Sequence, residues 1–211
     1  MTNVLILGAN GRIARFVVAA LSKQSDISQT LLVRDASKLA EVPDNARVIT
    51  ADVLDTAALT DAVSGQDVVY ANLTGDDIDE QAKSVVAAMD SAGVSRLIFV
   101  LALGIYGEVP GAFGEWNDRM IGTELRVFAK AAEVLEASDL DYTILRPAWL
   151  DDAEDTSYEI TVKGEPFKGT VVARQAVGDL IVEIIDEPTQ HSRASLGIDR
   201  PNTDGDKPYF M

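Results

Sequence analysis

Val4-Leu5-Ile6-Leu7-Gly8-Ala9-Asn10-Gly11-Arg12-Ile13-Ala14 is the stretch that decides the fold. The apolar run Val4–Leu7 does not alternate, which suits a strand buried on both faces of a parallel sheet. The pattern then switches to the helical spacing of Ile13–Lys23. Between the two stands a G-x-x-G-x-x-A turn. Gly8 lets the chain leave the strand sharply, Gly11 removes a Cβ where backbone must approach a ligand, and Ala14 lets the helix lie close to the strand. The first helical turn offers N–H groups and a partial positive charge that suit a pyrophosphate. A glycine pattern alone is weak evidence, but between a strand and a helix it predicts a dinucleotide site. Gly8, Ala9, Asn10, Gly11, Arg12 and Ile13 are its candidate contacts.

Outward from this turn the same alternation continues. Apolar runs at Thr30–Val33, Arg47–Thr50, Val68–Ala71, Leu97–Val100 and Thr143–Leu145 read as further buried strands. Helical patterns occupy Thr56–Ser64, Asp79–Ala92 and about Asn117 to Ser138, with Gly93 closing the second of these as a left-handed cap. Strand–helix alternation means βαβ units. The expected fold is α/β, a doubly wound Rossmann-type parallel sheet with a small C-terminal lid. We read residues 1–211 as one dinucleotide-binding domain, with 1–147 as its core. Residues 148–211 form a substrate-side lid, with short strands at Tyr158–Val162 and Thr170–Ala173, a helix over Gln175–Ile185 and an edge strand at Ala194–Ile198. Leu101–Glu115 reads as a glycine-rich loop, and Asp151–Asp155 as a solvated acidic loop.

Composition narrows the function. The 211 residues carry 18 Lys and Arg against 34 Asp and Glu, a formal charge of −16. Nucleic acids and anionic membranes need the opposite balance. No cysteine and one histidine, His191, leave no thiolate metal site and almost no material for a histidine zinc site or a Ser-His-Asp triad. No metal is expected. The N-terminus lacks a basic, apolar leader, and the apolar stretches fall short of the roughly 20 residues of a membrane span. The expectation is a cytoplasmic monomer or homodimer acting on a small molecule.

The second strand ends in Val33-Arg34-Asp35. A carboxylate here would accept from a ribose 2′-hydroxyl, whereas an arginine would accommodate a 2′-phosphate. Arg34 holds the place, with Arg12 and Lys38 able to add charge. NADP(H) is therefore preferred, with NAD(H) possible because Asp35 adjoins. Asp52 could accept from an adenine amino group, or cap the helix beginning near Thr56, and Val53 could lie against the ring. Ala71, Asn72 and Leu73, at the end of the fourth strand, would line the ribose and pyrophosphate side.

Together these pieces resemble the atypical short-chain dehydrogenases, in particular the NmrA-like NAD(P)H-binding group with its epimerase/dehydratase relatives. The Gly8–Ala14 turn, Leu32-Val33-Arg34-Asp35, Ala51-Asp52-Val53, Asp67-Val68-Val69, Arg96–Val100 and Asp141–Pro147 carry the resemblance, in family order across most of the chain. It implies hydride transfer helped by a Ser and a Tyr-x-x-x-Lys pair, in which the Tyr exchanges a proton with the carbonyl. That set is broken here. Leu101-Ala102-Leu103 stands where relatives often read Ser-Ser, and no Tyr-x-x-x-Lys exists. Tyr106 is the remaining proton-donor candidate and Lys130 a candidate ribose contact. Phe113 and Trp116 could stack on a flat ring or pack within the lid. Arg174 could pair with an anionic substrate or, the preferred reading, with a local acid. The expected function is an NADPH-dependent oxidoreductase acting on a small planar acceptor such as a flavin or quinone. A non-catalytic NADP(H) redox sensor is the alternative, and a nucleotide-sugar epimerase is less favoured. If Arg34 reads the 2′-phosphate, Arg34→Ala should weaken NADPH about tenfold more than NADH, through loss of a charge-assisted contact. Calorimetric titration with both nucleotides measures this, and equal weakening refutes it.

Overall fold

The computed structural model describes residues 1–211. Its strands are β1 (Thr2–Leu7), β2 (Ile27–Val33), β3 (Ala46–Thr50), β4 (Val68–Ala71), β5 (Arg96–Val100), β6 (Asp141–Pro147), β7 (Trp149–Asp151), β8 (Glu159–Val162), β9 (Val171–Ala173) and β10 (Ala194–Asp199). The helices are α1 (Ala14–Leu21), α2 (Thr56–Val63), α3 (Ile78–Ala92), α4 (Gly111–Ala137) and α5 (Arg174–Asp186). The main sheet runs β3-β2-β1-β4-β5-β6-β10-β8, parallel except for β8. The order reverses between β1 and β4, which is the switch point of a Rossmann-type fold.

Burial explains the runs that do not alternate. Every residue of β4 and β5 is buried, because helices cover both faces of the sheet. α1 and α5 belong to the apolar core on one face, and α2, α3 and α4 to the core on the other. The ends of the helices follow local chemistry. Asp55 caps α2 by accepting from the Ala58 N–H at 3.1 Å, and Gly93 closes α3 in the left-handed region at φ 69°. α1 has no side-chain cap and no acidic residue in its first turn.

Three expectations are corrected. α4 begins at Gly111, well before the expected Asn117. Its glycines read as loop signals, but Gly114 is set by packing: a Cβ there would stand 2.1 Å from the Val109 carbonyl oxygen. β10 is not an edge strand, because β8 returns antiparallel and covers it. The segment after Pro147 is thus divided. β10 and β8 extend the sheet, α5 packs on α1, and the parallel pair β7–β9 remains beside the sheet, with β7 unforeseen. Finally, Asp151 is not solvated. It is buried, accepts from Arg200 at 2.7 Å and lies 3.2 Å from the Tyr209 hydroxyl.

Asp199, at the end of β10, is fully buried, with one carboxylate oxygen on the Gly169 N–H at 2.9 Å and the other unpartnered. Burial pushes its carboxyl up to about 6. The folded state therefore holds this proton more tightly than the unfolded chain, whose carboxyl titrates near the ordinary 3.8. Its charge opposes folding increasingly as pH rises from about 4 to about 6. Asp199→Asn should stabilise the protein by on the order of 1–3 kcal/mol above pH 6, with the gain shrinking as pH falls toward 4. Urea unfolding of both proteins at pH 8 and pH 5 tests the sign. A variant less stable at both values would show that the charge supports the fold.

Candidate functional site

A cleft of about 460 Å³ opens at the switch point, over the C-terminal ends of the central strands. Gly8, Asn10, Gly11, Arg12 and Ile13 form its floor. The floor is shaped by contact with the end of β4. A Cβ on Gly8 would stand 2.4 Å from the Asn72 carbonyl oxygen, and one on Gly11 1.9 Å from the Asn72 side-chain nitrogen. Gly8 also has φ 72°, a region open mainly to glycine. The amides of Asn10, Arg12 and Ile13 make no backbone hydrogen bond. Bare amides ahead of an uncapped helix fit a diphosphate, which would supply the acceptors and charge that α1 lacks.

Most of the sequence-predicted contacts meet here. Arg34, Asp52, Val53, Asn72 and Leu73 line the cleft. Ala9 and Ala71 do not; both are buried beneath it and contribute packing. Asp52 accepts from the Leu54 N–H at 3.0 Å, while the helix cap is Asp55. Asp35 also lines the cleft, but its carboxylate accepts from the Ser37 hydroxyl at 2.6 Å and the Ser37 N–H at 3.0 Å, and Lys38 lies 3.7 Å away. These Ser37 contacts hold Asp35 below the usual carboxylate range. Arg12, Arg34, Lys38 and Arg174 line the cleft together with Asp35, Asp52 and Asp77. With Asp152 paired to Arg12 and Arg174 the cleft is near neutral in a chain of −16, so an anion is less repelled here than over the rest of the surface.

Sequence reasoning missed Gln81. It sits on the buried stripe of α3 with Ile78, Ala82 and Val85, and donates to the Thr74 carbonyl at 3.1 Å and to Asp77 at 2.6 Å. A polar residue on an apolar helical stripe was the available signal. Phe128 and Leu150 complete the wall.

Tyr106 and Lys130 both lie outside the cleft lining. The chain after β5 crosses toward β6 and β10, where Glu108 accepts from the Gly104 and Tyr106 amides at 3.0 and 2.9 Å and pairs with the fully buried Arg146. Tyr106 follows it away from the cleft. Its hydroxyl donates to Glu136 at 2.8 Å and lies 3.2 Å from the Ser195 hydroxyl oxygen, with Lys163 and Arg146 over its ring. Burial pushes this phenol well above its ordinary value. Lys130 is exposed on α4 and outside the cleft lining. Phe113 and Trp116 pack together, with Trp116 against Trp149 at 4.8 Å, so lid packing is their role. Arg174 pairs with Asp152 at 2.8 Å, the local acid expected of it.

Residues 8–188 match the model of the NAD(P)H-binding family. The chain belongs to that family. A Rossmann-fold NAD(P)-binding family protein from Shigella flexneri is 51% identical over 100% of both chains, with TM-score 0.87. A short-chain dehydrogenase/reductase from Veillonella parvula, solved in complex with NADP, is 30% identical over 99% of both chains, with TM-score 0.88. The uncharacterized sugar epimerase YhfK of Bacillus subtilis is 28% identical over 206 residues, 90% of this chain and 91% of that protein. Members of this family are oxidoreductase-like, and no helix here is long and apolar enough to cross a membrane.

The position of Tyr106 gives a direct test. Tyr106→Phe should cost about 1 kcal/mol of stability, the worth of a part-buried hydrogen bond, and leave NADPH oxidation within twofold of wild type. Urea unfolding and steady-state rates measure the two effects. A collapse of kcat with stability intact would return the hydroxyl to the chemistry.

Proposed function

We propose that this protein is an NADPH-dependent oxidoreductase of the atypical short-chain type, acting on a small planar acceptor of the flavin or quinone kind. The observation that carries this reading is a second pocket of about 310 Å³ adjoining the cleft, with Val100, Leu101, Leu150 and Arg174 lining both. Its walls come from the ends of β5 and β6 and from Trp149 and Ile121, and are almost wholly apolar. A flat ring suits such walls.

The glycine turn and the bare amides of Asn10, Arg12 and Ile13 would hold the dinucleotide's diphosphate, and Arg34 with Lys38 its 2′-phosphate. Ser37 engages only one oxygen of Asp35, so the phosphate reading rests on the cations at that corner, Arg34 and Lys38. The Veillonella relative's complex with NADP agrees with this choice. When bound, the reduced cofactor supplies a hydride from its nicotinamide ring to the acceptor. Arg174 is the pocket's one ionisable lining residue, and an arginine stays protonated. The balancing proton therefore comes from water. Flavins and quinones tolerate this, because their reduced forms accept protons from solvent without a positioned acid.

The same lack of an acid–base group argues against an epimerase, which must remove and return a proton, although the Bacillus relative is called a sugar epimerase. A non-catalytic redox sensor is the second reading, favoured by the broken Ser/Tyr-Lys set. NADPH oxidation with flavin, quinone and aldehyde panels decides between them. The expected result is turnover of flavins or quinones well above the no-enzyme rate, with aldehydes silent. NADPH binding with a wholly silent panel would replace the enzyme reading by the sensor.

A further inference from the structure

We propose that the acceptor carries an anionic group received by Arg174, whose resting counterion is Asp152. This rests on the oxidoreductase reading and names the substrate class of its pocket. Arg174 begins α5 and lines both the cleft and the apolar pocket. Its side chain is only 12% exposed, while that of its partner Asp152 is 55% exposed. A guanidinium held this deep beside apolar walls has lost most of its water and needs an anion.

The anion it has is a weak one. Asp152 is drawn at the same time to Arg12, 2.7 Å away on the phosphate turn. Two guanidinium groups share one carboxylate at the boundary between the pockets, so the trio carries net positive charge. An exposed carboxylate shared in this way holds each arginine only weakly. A carboxylate, sulfonate or phosphate on a ring seated against Trp149 and Leu150 could meet Arg174 from the drier side in the bidentate geometry that guanidinium favours. Asp152 would then remain with Arg12. The other lining residues, Ile121 and Pro147 among them, offer no charge, so charge selection falls to Arg174 alone.

The test uses wild type, Arg174→Gln, Arg174→Lys and Asp152→Asn, each checked for unchanged circular dichroism and melting. Binding is followed by tryptophan fluorescence and calorimetry with NADP+ present, so that no turnover is needed. The probes are two pairs matched in ring and differing in charge: FMN against riboflavin, and anthraquinone sulfonate against its hydroxymethyl analogue. Wild type should bind the anionic member of at least one pair about tenfold more tightly. Arg174→Gln should erase that preference while leaving the neutral member within twofold, and Arg174→Lys should retain part of it. Asp152→Asn should tighten the anionic member alone. No preference in wild type, or equal weakening of both members by Arg174→Gln, overturns the proposal. A preference that survives Arg174→Gln while NADP+ binding falls would assign Arg174 to the cofactor and overturn it as well. Charge preference with no NADPH oxidation would sink the oxidoreductase reading and leave the anion pocket standing. Turnover without charge preference would do the reverse.

Discussion

The glycine turn after β1 and the end of β4 meet at Asn72 more closely than any side chain would allow. Cβ atoms at Gly8 or Gly11 would stand 2.4 or 1.9 Å from Asn72 atoms. This approach is what the rest of the molecule is arranged around. β1 and β4 are neighbours in the sheet, yet the helices that follow them, α1 and α3, pack on opposite faces. The two chains part as they leave the sheet, and the gap between them is the cleft. Bulk on the turn would push the strands' exits apart or fill that gap.

Electrostatics complements this geometry. A chain of −16 repels anions over most of its surface, but the cleft gathers Arg12, Arg34, Lys38 and Arg174. Its acids are partly spent on local partners, Asp35 on Ser37 and Asp52 on the Leu54 amide. The uncapped start of α1 adds free N–H groups where α2 has the Asp55 carboxylate. A phosphate-bearing ligand thus meets donors on the floor and cations at the rim.

Beyond the cleft, buried polar groups fix the shape of the acceptor side. Arg146 is fully buried on β6 and joins Glu108, Ser195 and the Thr161 carbonyl. Glu108 in turn fixes the chain after β5 through the Gly104 and Tyr106 amides. A buried charge without such partners would be strongly destabilising, so this loop is tied to β6 and β10 and kept off the cleft. No tyrosine lines the apolar pocket.

The sequence alone determined the strand–helix alternation, the glycine turn and the positions of Arg34, Asp52, Val53 and Asn72 at strand ends. These follow from periodicity and turn chemistry, which act over a few neighbouring residues. Glycines misled where packing rather than a turn required them, as at Gly114, whose neighbour is the carbonyl of Val109 just before the helix. The directions of Tyr106 and Arg174 were decided only by the tertiary structure. Tyr106 finds Ser195 across 89 positions, and Arg12 and Arg174 share an aspartate that lies 140 and 22 positions from them. Such partners are chosen by which strand ends the sheet brings together, and no local pattern encodes that choice.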